Sequence, residues 1–185
     1  MVKIPDTGRI GRLARAVEKE LGREKMEMVM QGADRCFSTT DYSEKAEWAR
    51  GAMVRLEKSA GREKSRRIME SCGRKCCGVT SRKRAKECAA KAKDVQELLD
   101  NMNRRRLGGG RLKLKDKNTI VGGYDRCYCG LVKQTKEKFQ SMAYCQCSTG
   151  WYKQLFETAL GKPVQVELKR SIICGAKTCE FEIKI

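Results

Sequence analysis

The chain has 185 residues, with 41 Lys and Arg against 23 Asp and Glu, for a formal net charge of +18. A domain of this length buries roughly 70% of its unfolded surface, so it needs no disulfide to build a core. The opening stretch MVKIPDTGRIGRLARAVEKELG carries charges throughout, and no later stretch approaches the ~18 uncharged apolar residues of a membrane span. These features predict a cytoplasmic protein without an export signal or a membrane span.

The first part of the chain, residues 1–107, has the periodicity of amphipathic helices. Apolar residues recur at helical spacing and predict four helices, over residues 9–22, 43–59, 63–71 and 81–102. Ser43 is the expected cap of the second helix, and Gly61 separates the second from the third. The run Gly108-Gly109-Gly110 is expected to end this helical part as a flexible turn.

The second part, residues 111–185, mixes strand and helix patterns and is rich in cysteine. Alternating apolar residues predict two hairpins, one over residues 111–124 and one over residues 164–185, with a helix over residues 150–160 between them. The fold class expected is therefore α+β: a single domain over residues 1–185, with an N-terminal helical layer packed on a small antiparallel sheet. Val166, Phe181 and Ile183 are predicted to face its core.

Cysteine is the residue type that carries chemistry in this chain, which has 11 cysteines and no histidine. Two Cys-x-Cys pairs, Cys127/Cys129 and Cys145/Cys147, flank a basic segment of 15 residues. Four thiolates can surround a tetrahedral ion at about 2.3 Å each, and soft sulfur ligands favour zinc or an iron–sulfur cluster. The pattern predicts a metal site at these four residues, with zinc ahead of iron–sulfur. A thiol redox pair and plain packing of buried cysteines stay open as alternatives.

A second set of thiols, Cys72 and Cys76 with the adjacent Cys77, is the secondary candidate for the site. If the helix around residue 69 continues through them, Cys72 and Cys76 lie four residues apart on one face. Nearby Arg and Lys residues would lower thiol pKa values, which favours a redox or electrophile-sensing role. A solvated helix face with one buried thiol stays open as an equal alternative. Whether this set joins the Cys-x-Cys pairs stays open. Cys36 and Cys88 are expected to be packing residues.

Enzymatic interpretations are limited because a chain without histidine has no Ser-His or Cys-His couple. No recognisable catalytic constellation is present, and no phosphate-binding loop of the Gly-x-x-x-x-Gly-Lys type occurs. The net charge favours anionic partners, so a basic, zinc-stabilised nucleic-acid module is kept as an alternative function. A homodimer is a further open alternative.

The C-terminal stretch from Cys147 to Ile185 resembles the C-terminal half of the 4-vinyl reductase domain, whose relatives share a fold with trafficking-particle subunits. The shared positions follow one another along this stretch: Cys147, Gly150, Gly161, Val164 to Glu167, Gly175, Cys179 and Phe181. Ser171 and Ala176 stand where that family commonly has Cys and Asp, and Cys174 lies off its pattern. The whole chain also resembles a set of uncharacterised cysteine-rich bacterial proteins and, more distantly, the amino-thiazoline carboxylate hydrolase-like group.

The resemblance implies a helix-and-sheet domain that holds a small apolar or thiol-reactive ligand, often with a bound metal. Such domains serve as sensors or carriers more often than as catalysts. The expected function is therefore a cysteine-rich, small-ligand- or metal-binding domain, with a thiol redox sensor as an alternative.

Overall fold

A computed structural model describes residues 4–185 of the chain. Within that range it contains seven α-helices: α1 (Gly8–Leu21), α2 (Arg23–Val29), α3 (Ala33–Ser38), α4 (Tyr42–Cys76), α5 (Val79–Ala90), α6 (Val95–Arg104) and α7 (Gln146–Leu160). Its four strands are β1 (Lys113–Asp116), β2 (Thr119–Tyr124), β3 (Gln165–Arg170) and β4 (Cys179–Lys184). Short 3-10 turns lie at Leu107–Gly110 and Ile172–Cys174. The α+β class expected from the sequence is confirmed.

Two predicted helices fuse into α4. Gly61 interrupts it with φ of 72°, a backbone conformation that favours glycine, so the predicted break is present as a kink inside one long element. The expected cap was wrong by two positions, because the Asp41 carboxylate accepts a hydrogen bond of 2.6 Å from the Ser43 backbone N–H. The second half of α4 continues to Cys76, which places Cys72 and Cys76 on one helix as expected.

The predicted fourth helix, by contrast, is two helices. Residues 91–94 interrupt it, and Asp94 starts α6 by accepting a hydrogen bond of 2.8 Å from the backbone N–H of Glu97. The Glu97 carboxylate in turn accepts one of 2.9 Å from the backbone N–H of Lys93. This reciprocal capping stabilises a new helix start that apolar periodicity alone does not reveal.

The sheet is antiparallel, with the strands in the order β1-β2-β4-β3. Both predicted hairpins are present, although the turn between β3 and β4 is longer than expected and includes the 3-10 turn. Phe181 and Ile183 on the central strand β4 are buried as predicted, whereas Val166 on the edge strand β3 is only half-buried. Tyr124 at the end of β2 pairs with Cys179 at the start of β4, so this end of the sheet carries a thiol.

Helix α7 contacts α4, α5 and strand β3 and so lies between the helical layer and the sheet. Tyr152, Leu155 and Phe156 on it are fully buried, and Tyr152 packs against Phe181 with ring centroids 4.6 Å apart. Trp151, next to Tyr152 in the chain, is only half-buried.

The crossing of α4 and α7 requires glycine on both helices. A Cβ atom added to Gly73 would lie 1.8 Å from the Cys147 carbonyl oxygen, and one added to Gly150 would lie 1.9 Å from the Glu70 carbonyl oxygen. The two backbones therefore approach each other too closely for any side chain at these positions. Arg74 and Glu157 link the same two helices through a charged pair with Nη1 and Oε2 2.6 Å apart.

No helix among residues 4–185 has the length and apolar character that a membrane crossing requires. Cys36 and Cys88 are buried in the core, at 2% and 1% exposure, as expected for packing residues.

Candidate functional site: a cleft lined by thiols and arginines

A cleft of about 810 Å³ opens where the end of α4, the starts of α1, α5 and α7, and one end of the sheet meet. The glycine turn 108–110 forms part of its wall, and all three glycines have positive φ. Gly109 packs so closely that an added Cβ would lie 2.2 Å from the Gly123 carbonyl oxygen. Six thiols line the cleft: Cys76, Cys127, Cys129, Cys145, Cys147 and Cys179.

All four cysteines of the Cys-x-Cys pairs therefore line one cleft, although the local structure around them differs from the prediction. Cys127 and Cys129 lie in an irregular loop after β2. The helix predicted to start at residue 150 starts at Gln146, so Cys145 is its N-cap residue and Cys147 lies in its first turn. The segment between the pairs consists of turns and bends.

The four sulfur atoms have different partners. Cys129 Sγ lies 3.1 Å from the Tyr144 hydroxyl, and Cys145 Sγ lies 3.1 Å from the Ser171 hydroxyl. Cys147 contacts Cys76, and Cys127 accepts a hydrogen bond from the Cys129 backbone. No group of three or more His, Cys, Asp or Glu side chains in residues 4–185 is arranged to hold a metal ion. A zinc or iron–sulfur site shared by the four thiols stays a prediction.

The contact between Cys76 and Cys147 joins the two sets of thiols that the sequence left separate. Both residues are half-buried, and each lines the cleft. The hydrogen bond from Cys147, together with the guanidinium groups of Arg12 and Arg9, outweighs burial and lowers the pKa of Cys76 to about 6. The same hydrogen bond and burial raise the pKa of Cys147 well above its ordinary value. The pair thus favours one thiolate, on Cys76, and one thiol, on Cys147.

Cys72, the other secondary candidate, does not line the cleft. It is buried against α1, where its thiol donates to the Arg12 carbonyl oxygen at 3.6 Å. Burial raises its pKa to about 11, and burial also raises the pKa of Cys77 to about 11. These two thiols are therefore protonated at neutral pH and poorly placed to react.

A second group of thiols surrounds Ser171, the residue that replaces cysteine in the family pattern described above. Besides contacting Cys145, its hydroxyl hydrogen-bonds to Cys174 and Cys179. Burial raises the pKa of both thiols, and the hydrogen bond from Ser171 offsets part of this increase. The buried Cys145 likewise has a raised pKa. This group is therefore neutral and well hydrogen-bonded.

Five arginines line the same cleft: Arg9, Arg84, Arg106, Arg111 and Arg126. Of these five arginines, only Arg111 has a carboxylate partner among the described residues, Asp125 at 3.8 Å. Arg84 donates to the Arg105 carbonyl oxygen, and Arg126 lies over the Tyr128 ring at 5.0 Å from its centroid. Burial lowers the pKa of Arg9, but the nearby sulfurs of Cys129 and Cys76 outweigh it, so the net pKa is raised. The cleft thus has an uncompensated positive charge.

Sequence reasoning did not find the residues that give the cleft its electrostatic character, namely Arg9, Arg12, Tyr144 and Ser171. Arg9 and Arg12 belong to the N-terminal helix, 64 residues or more before the thiol that they approach, and nothing local marks them. For Ser171 there was one indication of a role in the sequence, because this residue occupies a position where the 4-vinyl reductase family commonly has cysteine. The carboxylate of Glu167, which that family pattern places on a strand, is exposed and paired with Lys169 at 2.6 Å.

Together these features define the class of the molecule: an α+β protein with a cleft lined by thiols and bordered by arginines. Residues 8–185 match a family described as "Family of unknown function (DUF6144)", and the chain belongs to that family. A comparison with curated proteins finds no match.

Proposed function

We propose that the cleft binds a small, thiol-reactive organic anion and that the protein is a sensor or carrier for that ligand. The observation that carries the proposal is the composition of the cleft. Its lining includes six cysteines and five arginines but only one carboxylate, that of Asp125. The proposed ligand combines a carboxylate or phosphate with a soft, electrophilic or disulfide group, because these are the groups that guanidinium and thiolate recognise.

Volume and lining both suit such a ligand. A cleft of about 810 Å³ is within the range of small-molecule sites, which are typically ~300–1,000 Å³. Tyr124, Tyr128 and Trp151 supply aromatic surface for an apolar portion of the ligand.

The resemblance to the 4-vinyl reductase domain supports the same proposal. Its shared positions lie in α7, β3 and β4 and in the segments that connect them, and two of them, Cys147 and Cys179, line the cleft. We propose that the chain shares that fold, which trafficking-particle subunits also have, and with it the role of holding a ligand between helices and sheet.

The proposal is tested with anilinonaphthalene sulfonate, a dye whose sulfonate and aromatic rings match the two halves of the proposed ligand. Arg9→Gln and Arg126→Gln each remove one uncompensated charge from the cleft, so each should weaken dye binding about tenfold, the equivalent of ~1.4 kcal/mol. Arg62→Gln is the matched control, because Arg62 is exposed on α4, away from the cleft, and the substitution removes the same charge.

Equal affinities of the parent, the two cleft variants and the control would overturn the proposal. S-methylglutathione, an unreactive organic anion, should displace the dye. A random oligonucleotide should not displace it at ~0.15 M salt. Displacement by the oligonucleotide alone would instead favour the basic nucleic-acid module.

A further inference from the structure

We propose that Cys76 and Cys147 form a reversible dithiol–disulfide couple that exchanges with small anionic disulfides entering the cleft. The inference names a substrate class for the site described above and rests on the proposed function only for the attraction of the anion. The couple itself rests on the geometry of the two thiols.

Packing of α4 against α7 holds the two sulfur atoms together. Gly73 contacts the Cys147 backbone so closely that any Cβ would overlap its carbonyl oxygen, and Cys76 follows Gly73 by one helical turn. This crossing brings Cys76 beside Cys147: both residues line the cleft and a small cavity next to it, and each thiol shifts the pKa of the other. A disulfide between them would link the end of α4 to the first turn of α7.

The surroundings of the pair favour a nucleophile at Cys76. The Arg12 guanidinium donates to Cys76 Sγ at 3.8 Å, and within residues 4–185 this is the only guanidinium hydrogen bond to a sulfur. The positive end of α7 adjoins the pair from the other side, because Cys147 lies in the first turn of that helix. The carbonyl end of α4 opposes negative charge at Cys76. The hydrogen bond from Cys147 and the guanidinium groups of Arg12 and Arg9 favour that charge.

Cys76 and Cys147 differ from the other thiols in how easily a small disulfide in the cleft can reach them. Cys76 and Cys147 are half-buried and face the cleft, so a disulfide can reach them. Cys145 and Cys179 also face the cleft, but they are buried and hydrogen-bonded to Ser171. Cys127 and Cys129 are separated by one residue in an irregular loop, and Cys129 is bonded to Tyr144.

The exchange has two balanced steps. In the first, the Cys76 thiolate attacks one sulfur of a small disulfide RS–SR, which breaks its S–S bond and forms Cys76–S–SR while RS⁻ leaves. In the second, Cys147 loses its proton to the released thiolate or to water and attacks the Cys76 sulfur. This step forms the Cys76–Cys147 disulfide and expels the second RS⁻. The protein is oxidised by two electrons, and the small disulfide is reduced to two thiols.

The test treats the folded, reduced protein with glutathione disulfide, an anionic substrate, and maps the products by peptide mass spectrometry. The parent should give a peptide pair linked through Cys76 and Cys147, with little glutathione retained. Cys147→Ser should instead retain glutathione on Cys76, because the resolving thiol is missing. Cys76→Ser should react about tenfold more slowly at Cys147. Cys36→Ser is the control, since Cys36 is buried elsewhere and its loss should leave the product unchanged.

Mapping of the parent protein does not depend on whether any variant folds. A parent that remains fully reduced, or that links other cysteines, would overturn the couple even if the dye still binds the cleft. Neutral bis-hydroxyethyl disulfide separates the two proposals. If it produces the same Cys76–Cys147 link as fast as glutathione disulfide does, the couple stands and the selectivity for anions is wrong.

Discussion

Replacing Gly73 with alanine should separate α4 from α7 and lower the free energy of unfolding. The added Cβ would lie 1.8 Å from the Cys147 carbonyl oxygen, 2.6 Å from its carbonyl carbon and 2.9 Å from its Cα, all backbone atoms. An ordinary carbon–oxygen contact is ~3.3 Å, so the helices must move apart by about 1.5 Å. Overpacking of this kind costs ~1–3 kcal/mol, and a clash with backbone atoms, which cannot rotate aside, lies at the upper end of that range. Alanine recovers ~1 kcal/mol of helix propensity over glycine. We therefore expect a net loss of about 2 kcal/mol.

Urea unfolding measures this loss, and Gly51→Ala in the same helix is the matched control. The atom nearest to a Cβ on Gly51 is the terminal nitrogen of Arg55 at 3.1 Å, which can move aside. Gly51→Ala should therefore stabilise the protein, by up to ~1 kcal/mol, through helix propensity alone. If Gly73→Ala were as stable as Gly51→Ala, the close crossing that brings Cys76 to Cys147 would be wrong.

Four further predictions concern the core, the reactive thiol and the metal. Phe181→Ala should cost ~3–5 kcal/mol in urea unfolding, because Phe181 is 2% exposed and packs on Tyr152, and a loss below ~1 kcal/mol would contradict that packing. Iodoacetamide labelling of Cys76 should be half-maximal near pH 6, and Arg12→Gln should move this midpoint upward, toward the ~8.5 of a free thiol. Since the pKa of Cys76 is lowered by folding, its contribution to stability should decline as pH falls through about 6. If Cys127, Cys129, Cys145 and Cys147 share a metal, anaerobically prepared protein should contain zinc or iron, and serine at any one of them should lower metal content and thermal stability together. A metal-bound Cys147 would contradict the Cys76–Cys147 couple, and a metal-free parent would contradict the shared metal site.

Periodicity was enough to predict the α+β class and the buried face of β4, because each depends on residues close together in the chain. Phe181 and Ile183 alternate with polar neighbours, and this alternation is typical of a strand with one buried face. The division of the predicted fourth helix could not be found in this way, because it depends on the side-chain caps of Asp94 and Glu97 and not on apolar spacing.

The thiol pair was also beyond the reach of local patterns. The Cys-x-Cys spacing drew attention to Cys145 and Cys147 together, yet the structure directs Cys145 toward Ser171 and Cys147 toward Cys76. That difference arises because α7 begins at Gln146, so the pair lies at a helix start, where residues two apart do not share a face. The contact between Cys147 and Cys76 depends on the crossing of two helices 70 residues apart in the chain, which glycine at positions 73 and 150 makes possible.

The measurement that tests the account most directly compares the rates at which two aromatic disulfides oxidise the protein, one dianionic and one neutral. Dithiobis-nitrobenzoate carries two carboxylates, and dithiodipyridine carries none. If the arginines of the cleft guide anions to Cys76, the dianion should react faster, and its advantage should shrink between ~0.05 M and ~0.5 M salt. The advantage should also fall in Arg126→Gln and persist in Arg62→Gln, which separates the cleft from the overall charge of +18. Equal rates for the two reagents, or the same advantage in both variants, would contradict a cleft that brings anions to its thiols.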